Sequence, residues 1–233
     1  MKLNRKLSSK PPGLCAVLCL AVLVVFIGAC QNRLLYPDRA TGLDRFEKIL
    51  VMPFDDLYRK LGDHASYRCP VSGKVYLIEE VAEGADAFLT DYLMSALMER
   101  KALVLIPPGQ AQGAISSLLS ETRAEMSELE LLMKTGQQLG ADAILLNRVY
   151  RFRHRVGTRY TAESPASVGL DMLLLSVPDG RLIWNGHVDE IQQTLSENLF
   201  KIGTFIKRKG QWISAEELAS GGIDDALKDF PAL

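Results

Sequence analysis

The sequence predicts an α/β sandwich: a mixed sheet of about five strands with helices packed on it and an antiparallel hairpin toward its C-terminal end. Three observations predict it. Short apolar runs rich in β-branched and large residues, KILVMPF at 48–54 and ALVLI at 102–106, alternate with segments of helical period at 85–100 and 127–139. The turn signal Pro178-Asp179-Gly180 separates two long strand-like stretches, 167–177 and 181–188. With 233 residues and 48% hydrophobic content, the chain is long enough for one ordinary domain with a full core and too short for two large ones.

The amino-terminal segment does not belong to that core. Lys2, Arg5, Lys6 and Lys10 precede the apolar run 14–29 with no acidic residue among them, which is the order of a secretory leader. Sixteen apolar residues fall short of the ~18–20 that a membrane-crossing helix needs. Ile27-Gly28-Ala29-Cys30 resembles the lipobox of bacterial lipoproteins. That resemblance implies a cleaved signal peptide over 1–29 and a new amino terminus at Cys30 carrying covalent lipid, palmitate among its acyl chains, with no other cofactor. Gln31 rather than Asp follows the cysteine, and the sorting rule of enteric bacteria then favours the periplasmic face of the outer membrane. Residues 30–46 contain Pro37 and Gly42 without a regular period and read as a tether.

The domain is expected over 47–190. Strand 48–54 stops at Asp55-Asp56. Residues 57–83 are broken by Gly62, Pro70 and Gly73 around a strand at 74–78, so they read as an excursion over the surface. In helix 85–100, Phe88, Leu89, Tyr92, Leu93, Ala96 and Leu97 fill one half of the wheel. Met94 and Met98 fall on the other half and need a cover: either the 57–83 excursion or a protein partner, since Met adapts well at contacts. Strand 102–106 ends at Pro107, and a short helix follows at 115–119. The helix at 127–139 opens with the capping-box pattern Ser127-Glu128-Leu129-Glu130 and ends at Gly140. A third strand opens at Ala143 and runs on to Arg155, 156–165 turns the chain, and the hairpin strands follow. Residues 191–233 read as a helical tail packed on the domain, with a second capping box at Ser214–Glu217. Phe200, Phe205 and Trp212 supply apolar contacts for that packing; the alternative is an arm presenting Lys207, Arg208 and Lys209.

Charge narrows the function. Removing the four leader cations from the formal net charge of -1 leaves a body near -5, which argues against a general nucleic-acid binder. No G-x-S-x-G, H-E-x-x-H, phosphate-loop or dinucleotide motif is present, so no enzyme is expected. Asp55-Asp56 lies past a strand end, where catalytic carboxylates often sit, but no second group is visible to set acid and base roles, and a turn or cap accounts for it better. His187-Val188-Asp189-Glu190 looks ligand-like but reads more simply as a strand end entering solvent, and no metal site is expected. Cys69 would be the single unmodified thiol of the exported chain: buried, free or paired with another chain, with burial favoured. The most functional-looking surface is on the third strand. Arg151, Arg153 and Arg155 share one parity, Tyr150, Phe152 and His154 the other, and Arg159 follows in the turn. With the aromatics in the core, these arginines form a positive row for an anionic partner.

KILVMPFDD, then a helix and LVLIPP, then a helix leading into QLGADAILLNRVY and a hairpin closed by PDGRLIW, resembles the periplasmic domain shared by the TolB amino-terminal module, the curli secretion lipoprotein CsgG and the LpoB-type activator of penicillin-binding proteins. The resemblance spans about 48–188, and LGADAIL at 139–145 is its most specific piece. It implies contact with other envelope proteins and no catalysis. Long lipid-facing hairpins of the kind that build a secretion pore do not appear. The expected function is a lipid-anchored binding or assembly module of the cell envelope, held to the membrane and to an envelope protein. The alternatives are a subunit of a lipoprotein homo-oligomer, with Met94, Met98 and Cys69 as contacts, and a hydrolase using Asp55 or Asp56.

Overall fold

Strand β1 (Lys48–Asp56) organises the sheet because its side chains are buried on both faces, as a central strand in a parallel pairing requires. The structure, a computed structural model, describes residues 46–100, 103–121, 126–158, 162–192 and 213–231, all within the unit Asp44–Leu233. The leader, Cys30, Arg159 and the tail residues Phe200, Phe205, Lys207, Arg208, Lys209 and Trp212 lie outside the described residues.

After β1 come helix α1 (Leu57–Leu61), strands β2 (Ser66–Arg68) and β3 (Val75–Leu77), helix α2 (Ala85–Met98), strand β4 (Val104–Ile106) and helices α3 (Pro108–Glu121) and α4 (Glu128–Gln138). Strand β5 (Ala143–Arg153) follows, then the small ribbon β6 (Val156–Gly157) and β7 (Ala162–Ser164), the hairpin β8 (Ser167–Ser176) and β9 (Leu182–Ile191), and helix α5 (Ala215–Leu227). The main sheet runs β4-β1-β5-β8-β9; β4, β1 and β5 are parallel, and β8 and β9 turn antiparallel. The fold is thus the mixed five-stranded sandwich with a closing hairpin that the sequence pattern predicts. The helix expected at 115–119 is longer because Pro108 is tolerated in a first helical turn, where its missing N–H is not needed.

The LGADAIL turn works by hydrogen bonds. Gly140 takes φ +61°, the left-handed conformation that ends α4. Asp142 then accepts from the backbone N–H groups of Glu47 and Lys48 at 3.0 and 2.9 Å, while Lys48 Nζ donates to Leu139 O at 2.9 Å. The turn thereby fixes where β1 begins. One-residue bulges then shift the register, two of them on β1 and β5. Pro53, which has no N–H to give a ladder, lies where β1 slips against β5. The groups freed there are satisfied from outside: Phe54 N donates to Thr90 Oγ1 of α2 at 2.9 Å, and Asn147 Nδ2 donates to Met52 O at 2.7 Å. The second bulge makes Tyr150 the extra residue between Val149, opposite Leu170, and Arg151, opposite Gly169.

Each sheet face has its own core. Helices α2 and α5 cover one, with Leu89, Leu93, Phe152, Leu170, Met172, Val188 and Ile223 buried between them. On the other face α3, α4 and the segment α1–β3 pack over Leu50, Ile144, Leu146, Tyr150, Leu173 and Leu175. That segment, termed the strap below, ends in residues 79–82, which run beside β5: Glu79 N donates to Tyr150 O, Phe152 N to Glu80 O and Ala82 N to Phe152 O, each at 2.9 Å.

Two expectations change here. The strap does not cover Met94 and Met98; it lies on the opposite face of the sheet from α2. Met94, one turn from Thr90, is itself buried in the α2 core, and Met98 alone stands out, 63% exposed. The periodicity missed this because the sheet and a second helix both flank α2, so its buried arc is wider than half a wheel.

Helix α5 opens with the complete capping box, Ser214 Oγ accepting from Glu217 N and Glu217 Oε2 from Ser214 N. Its interior holds two glycines with opposite roles. A Cβ on Gly221 would meet nothing within 4 Å, whereas one on Gly222 would lie 2.5 Å from Val188 Cγ1. Gly221→Ala is expected to raise unfolding free energy by ~0.5–1 kcal/mol through helix propensity, and Gly222→Ala to lower it by ~1–3 kcal/mol through overpacking. Denaturant titration of the two variants checks both signs.

Candidate functional site

The largest concentration of polar side chains in the described core lies where the strap meets the sheet. Its centre is Asp171, on β8, wholly buried and facing the strap. Cross-strand register puts Asp171 between Arg148 on β5 and His187 on β9. A carboxylate without water needs donors. The strap supplies Tyr76, whose hydroxyl donates to Oδ2, and Lys74, whose Nζ lies 3.7 Å from Oδ1. Strand β9 supplies His187, with Nδ1 2.5 Å from Oδ1 and its side chain 40% exposed. Tyr76 is stacked between Tyr150 at 4.8 Å and Tyr67 at 6.4 Å. Gly169 makes room for this stack, since a Cβ there would lie 2.4 Å from the Tyr150 ring.

Two further clusters extend the seam. Arg148, buried among apolar neighbours, donates to Cys69 Sγ at 2.9 Å and to Glu128 Oε1 at 2.6 Å, and its guanidinium lies 5.4 Å over the Tyr67 ring. Cys69 also accepts from Ser72 N at 3.4 Å. Arg151 pairs with Asp189 and, at 3.9 Å, with Glu79; Arg153 reaches the same Glu79 at 3.2 Å. Cations of the sheet thus meet anions of the strap, β9 and α4.

Burial, helped by the hydrogen bond to Asp171, pushes the Tyr76 phenol well above its ordinary value, and burial does the same at Tyr150. Burial also carries Tyr67 up to about 12. For Arg148, burial alone would lower the pKa, and the nearby Glu128 and Cys69 more than offset it.

The residues singled out from sequence are distributed unevenly over this geometry. Arg151 is not part of a solvent-facing row: it is buried and ion-paired. The reason is the Tyr150 bulge, which places Tyr150 and Arg151 on the strap side and Phe152 on the α2 side. Arg153 keeps a side chain 42% exposed, Arg155 is half-buried, and His154 lies 3.5 Å from Glu216 of α5. Cys69 is buried and so is not placed to join two chains. Asp56 caps α1 by accepting from Arg59 N at 2.9 Å, and Asp55 pairs with Lys60 at 2.6 Å. Among the described residues no group of three or more His, Cys, Asp and Glu is arranged to hold a metal ion. Sequence reasoning missed Asp171, Tyr76 and Arg148. The available signal was a charged residue at a strand centre, Asp171 within SVGLDMLLLS and Arg148 within AILLNRVY.

A test of the seam follows from its tyrosines. Below pH 10 both folded and unfolded chains keep these phenols protonated. As pH rises past the ordinary value of 10.0, the unfolded chain releases protons that the folded one retains, so stability falls. Between pH 10 and pH 11.5 the unfolding free energy is expected to drop, and Tyr76→Phe to lessen that slope by at most ~1.4 kcal/mol per pH unit, the value of one proton. Chemical denaturation at stepped pH measures both slopes.

No protein-family model matches the chain, and no curated protein matches it. Among solved structures it is similar to the LpoB C-terminal domain from Salmonella enterica, at 18% identity and TM-score 0.38, covering 66% of this chain and 89% of that one. A PelC dodecamer from Paraburkholderia phytofirmans is 15% identical at TM-score 0.39, covering 80% and 88%. Lipoprotein GNA1162 from Neisseria meningitidis is 13% identical at TM-score 0.39, covering 70% and 98%.

Proposed function

We propose that this chain is a lipoprotein held through lipid on Cys30 at the periplasmic face of the outer membrane, and that its α/β domain is a non-catalytic binding or assembly module of the cell envelope. In this reading 1–29 is a cleaved signal peptide, 30–46 a lipidated tether, 47–190 the working domain and 191–233 its helical tail. The observation that carries the module reading is the pairing in the seam. Asp171 is met by Tyr76, His187 and Lys74, Arg148 by Glu128 and Cys69, and Arg151 by Asp189 and Glu79. These groups hold the strap to the sheet, a structural use that leaves the outer surface for partners. Anchoring is supported by the leader followed by Ile27-Gly28-Ala29-Cys30.

The partner surface in this reading is the far end of β5 and the residues just after it, with Arg153 and Arg155 meeting an anionic envelope partner; Arg159, the third arginine of the reading, lies outside the described residues. A second reading, a subunit of a homo-oligomer, is favoured by the β4 edge of the sheet. There β4 ends the strand order, and Val104 and Met98 are 58% and 63% exposed.

Labelled fatty acid is expected to enter the protein in growing cells and not its Cys30→Ala variant; equal labelling of the two would refute the anchor. A photo-crosslinking residue at Arg153 is expected to capture another envelope protein, and one at Met98 to capture none or a second copy. Self-capture from both positions would favour the oligomer.

A further inference from the structure

The strap presents an outer face that the seam does not use. In the β2–β3 ribbon the pairs are Ser66 with Leu77, Tyr67 with Tyr76 and Arg68 with Val75. The Tyr67 and Tyr76 side chains turn inward to the sheet, so by strand alternation the other two pairs face out. Val75 and Leu77 are each 55% exposed and lie two residues apart on one face. Arg68, opposite Val75, is exposed, whereas the Lys74 ammonium turns inward toward Asp171. Between Asp63 and Glu79 the strap carries no acidic residue. The face is therefore small, apolar at its centre, with the Arg68 cation beside it.

We propose that this face rests on an anionic phospholipid surface and sets the orientation of the anchored domain. The inference depends on the lipid anchor proposed above. Size decides between this occupant and a protein. A specific protein interface buries about 800 Å² on each partner, and two aliphatic side chains supply a small fraction of that. A membrane contact needs much less, because an anchored domain already sits at high local concentration near the surface and a weak second contact acts within one molecule. Charge complementarity points the same way, since a cation beside inserted aliphatic side chains, here Arg68, suits anionic headgroups. Chain length permits it. The strap lies level with Asp171, whose cross-strand neighbour Arg148 is in register with Asp55, about 23 Å along β1 from Lys48 at roughly 3.3 Å per residue. The 15 residues from Gln31 to Arg45 extend to about 50 Å at most.

The test uses the full lipidated chain with Leu77→Cys carrying an environment-sensitive fluorophore, in vesicles of phosphatidylethanolamine and phosphatidylglycerol. Cys69 is buried and Cys30 acylated in this reading, so the new thiol is the one labelled. The expected result is a blue-shifted emission that a headgroup-depth quencher diminishes, absent when the label is at exposed Leu119 on α3, and lost in phosphatidylcholine vesicles or with Arg68→Glu. Arg68 is the better charge to reverse, because Lys74 also touches Asp171. A chain that floats with the vesicles while its Leu77 label stays unshifted overturns this inference and leaves the anchor standing. A chain that does not float overturns both. A shift that appears only on adding delipidated envelope protein assigns the face to an acidic protein partner and overturns the membrane contact.

Discussion

A carboxylate placed at the centre of a strand and closed off from water must be met by donors from whatever packs against it, and much of this molecule is arranged around that requirement at Asp171. The β8–β9 hairpin provides one donor by register, His187, and the strap provides two, Tyr76 and Lys74. Tyr76, which reaches Asp171, stacks on the Tyr150 ring, and Gly169 leaves space for that ring. The strap has few apolar residues to bury on its own account, with Leu57, Cys69, Tyr76 and Ile78 as its buried members. Its position is therefore specified chiefly by hydrogen bonds of defined direction.

This divides labour between the two sides of the sheet. The α2–α5 side is a large apolar core, where burial at about 25 cal/mol per Å² supplies the bulk of the stability. On the strap side the ion pairs contribute little net free energy, because the cost of desolvating charges such as Arg148 and Asp171 offsets most of their attraction. What they add is uniqueness: a strap shifted along the sheet would leave Asp171 with His187 but without Tyr76 and Lys74, and Arg148 with Glu128 but without Cys69, so each buried group would lose partners it cannot replace with water.

The same division explains what could be read from sequence. The α2–α5 side and the strand order were legible because apolar periodicity reports burial, and the end of α4 was legible because Gly140 terminates it locally, while the partners of Asp142, Glu47 and Lys48, are more than ninety residues away. The polar seam was not. Parity assumes an unbroken two-residue repeat, and one bulge at Tyr150 moved Arg151 from the expected solvent row to a buried pair with Asp189. A similar limit applied to His187, whose meaning depends on Asp171, sixteen residues away across a hairpin. Pairings of this kind are set by register, and register is a property of the assembled sheet.

From this arrangement follows a constraint on where function can reside. Moving Asp171, Arg148 or Arg151 to serve a ligand would first require breaking their existing pairs, and with them the attachment of the strap. Side chains that can meet a partner without that cost are those that point away from the seam: Val75, Leu77 and Arg68 on the outer face of the strap, Val104 on the edge strand β4, and Met98 at the end of α2. They lie on rigid strands and helix ends that the buried network or the apolar core holds in place. The polar chemistry around Asp171 is turned inward, where it holds the strap to the sheet.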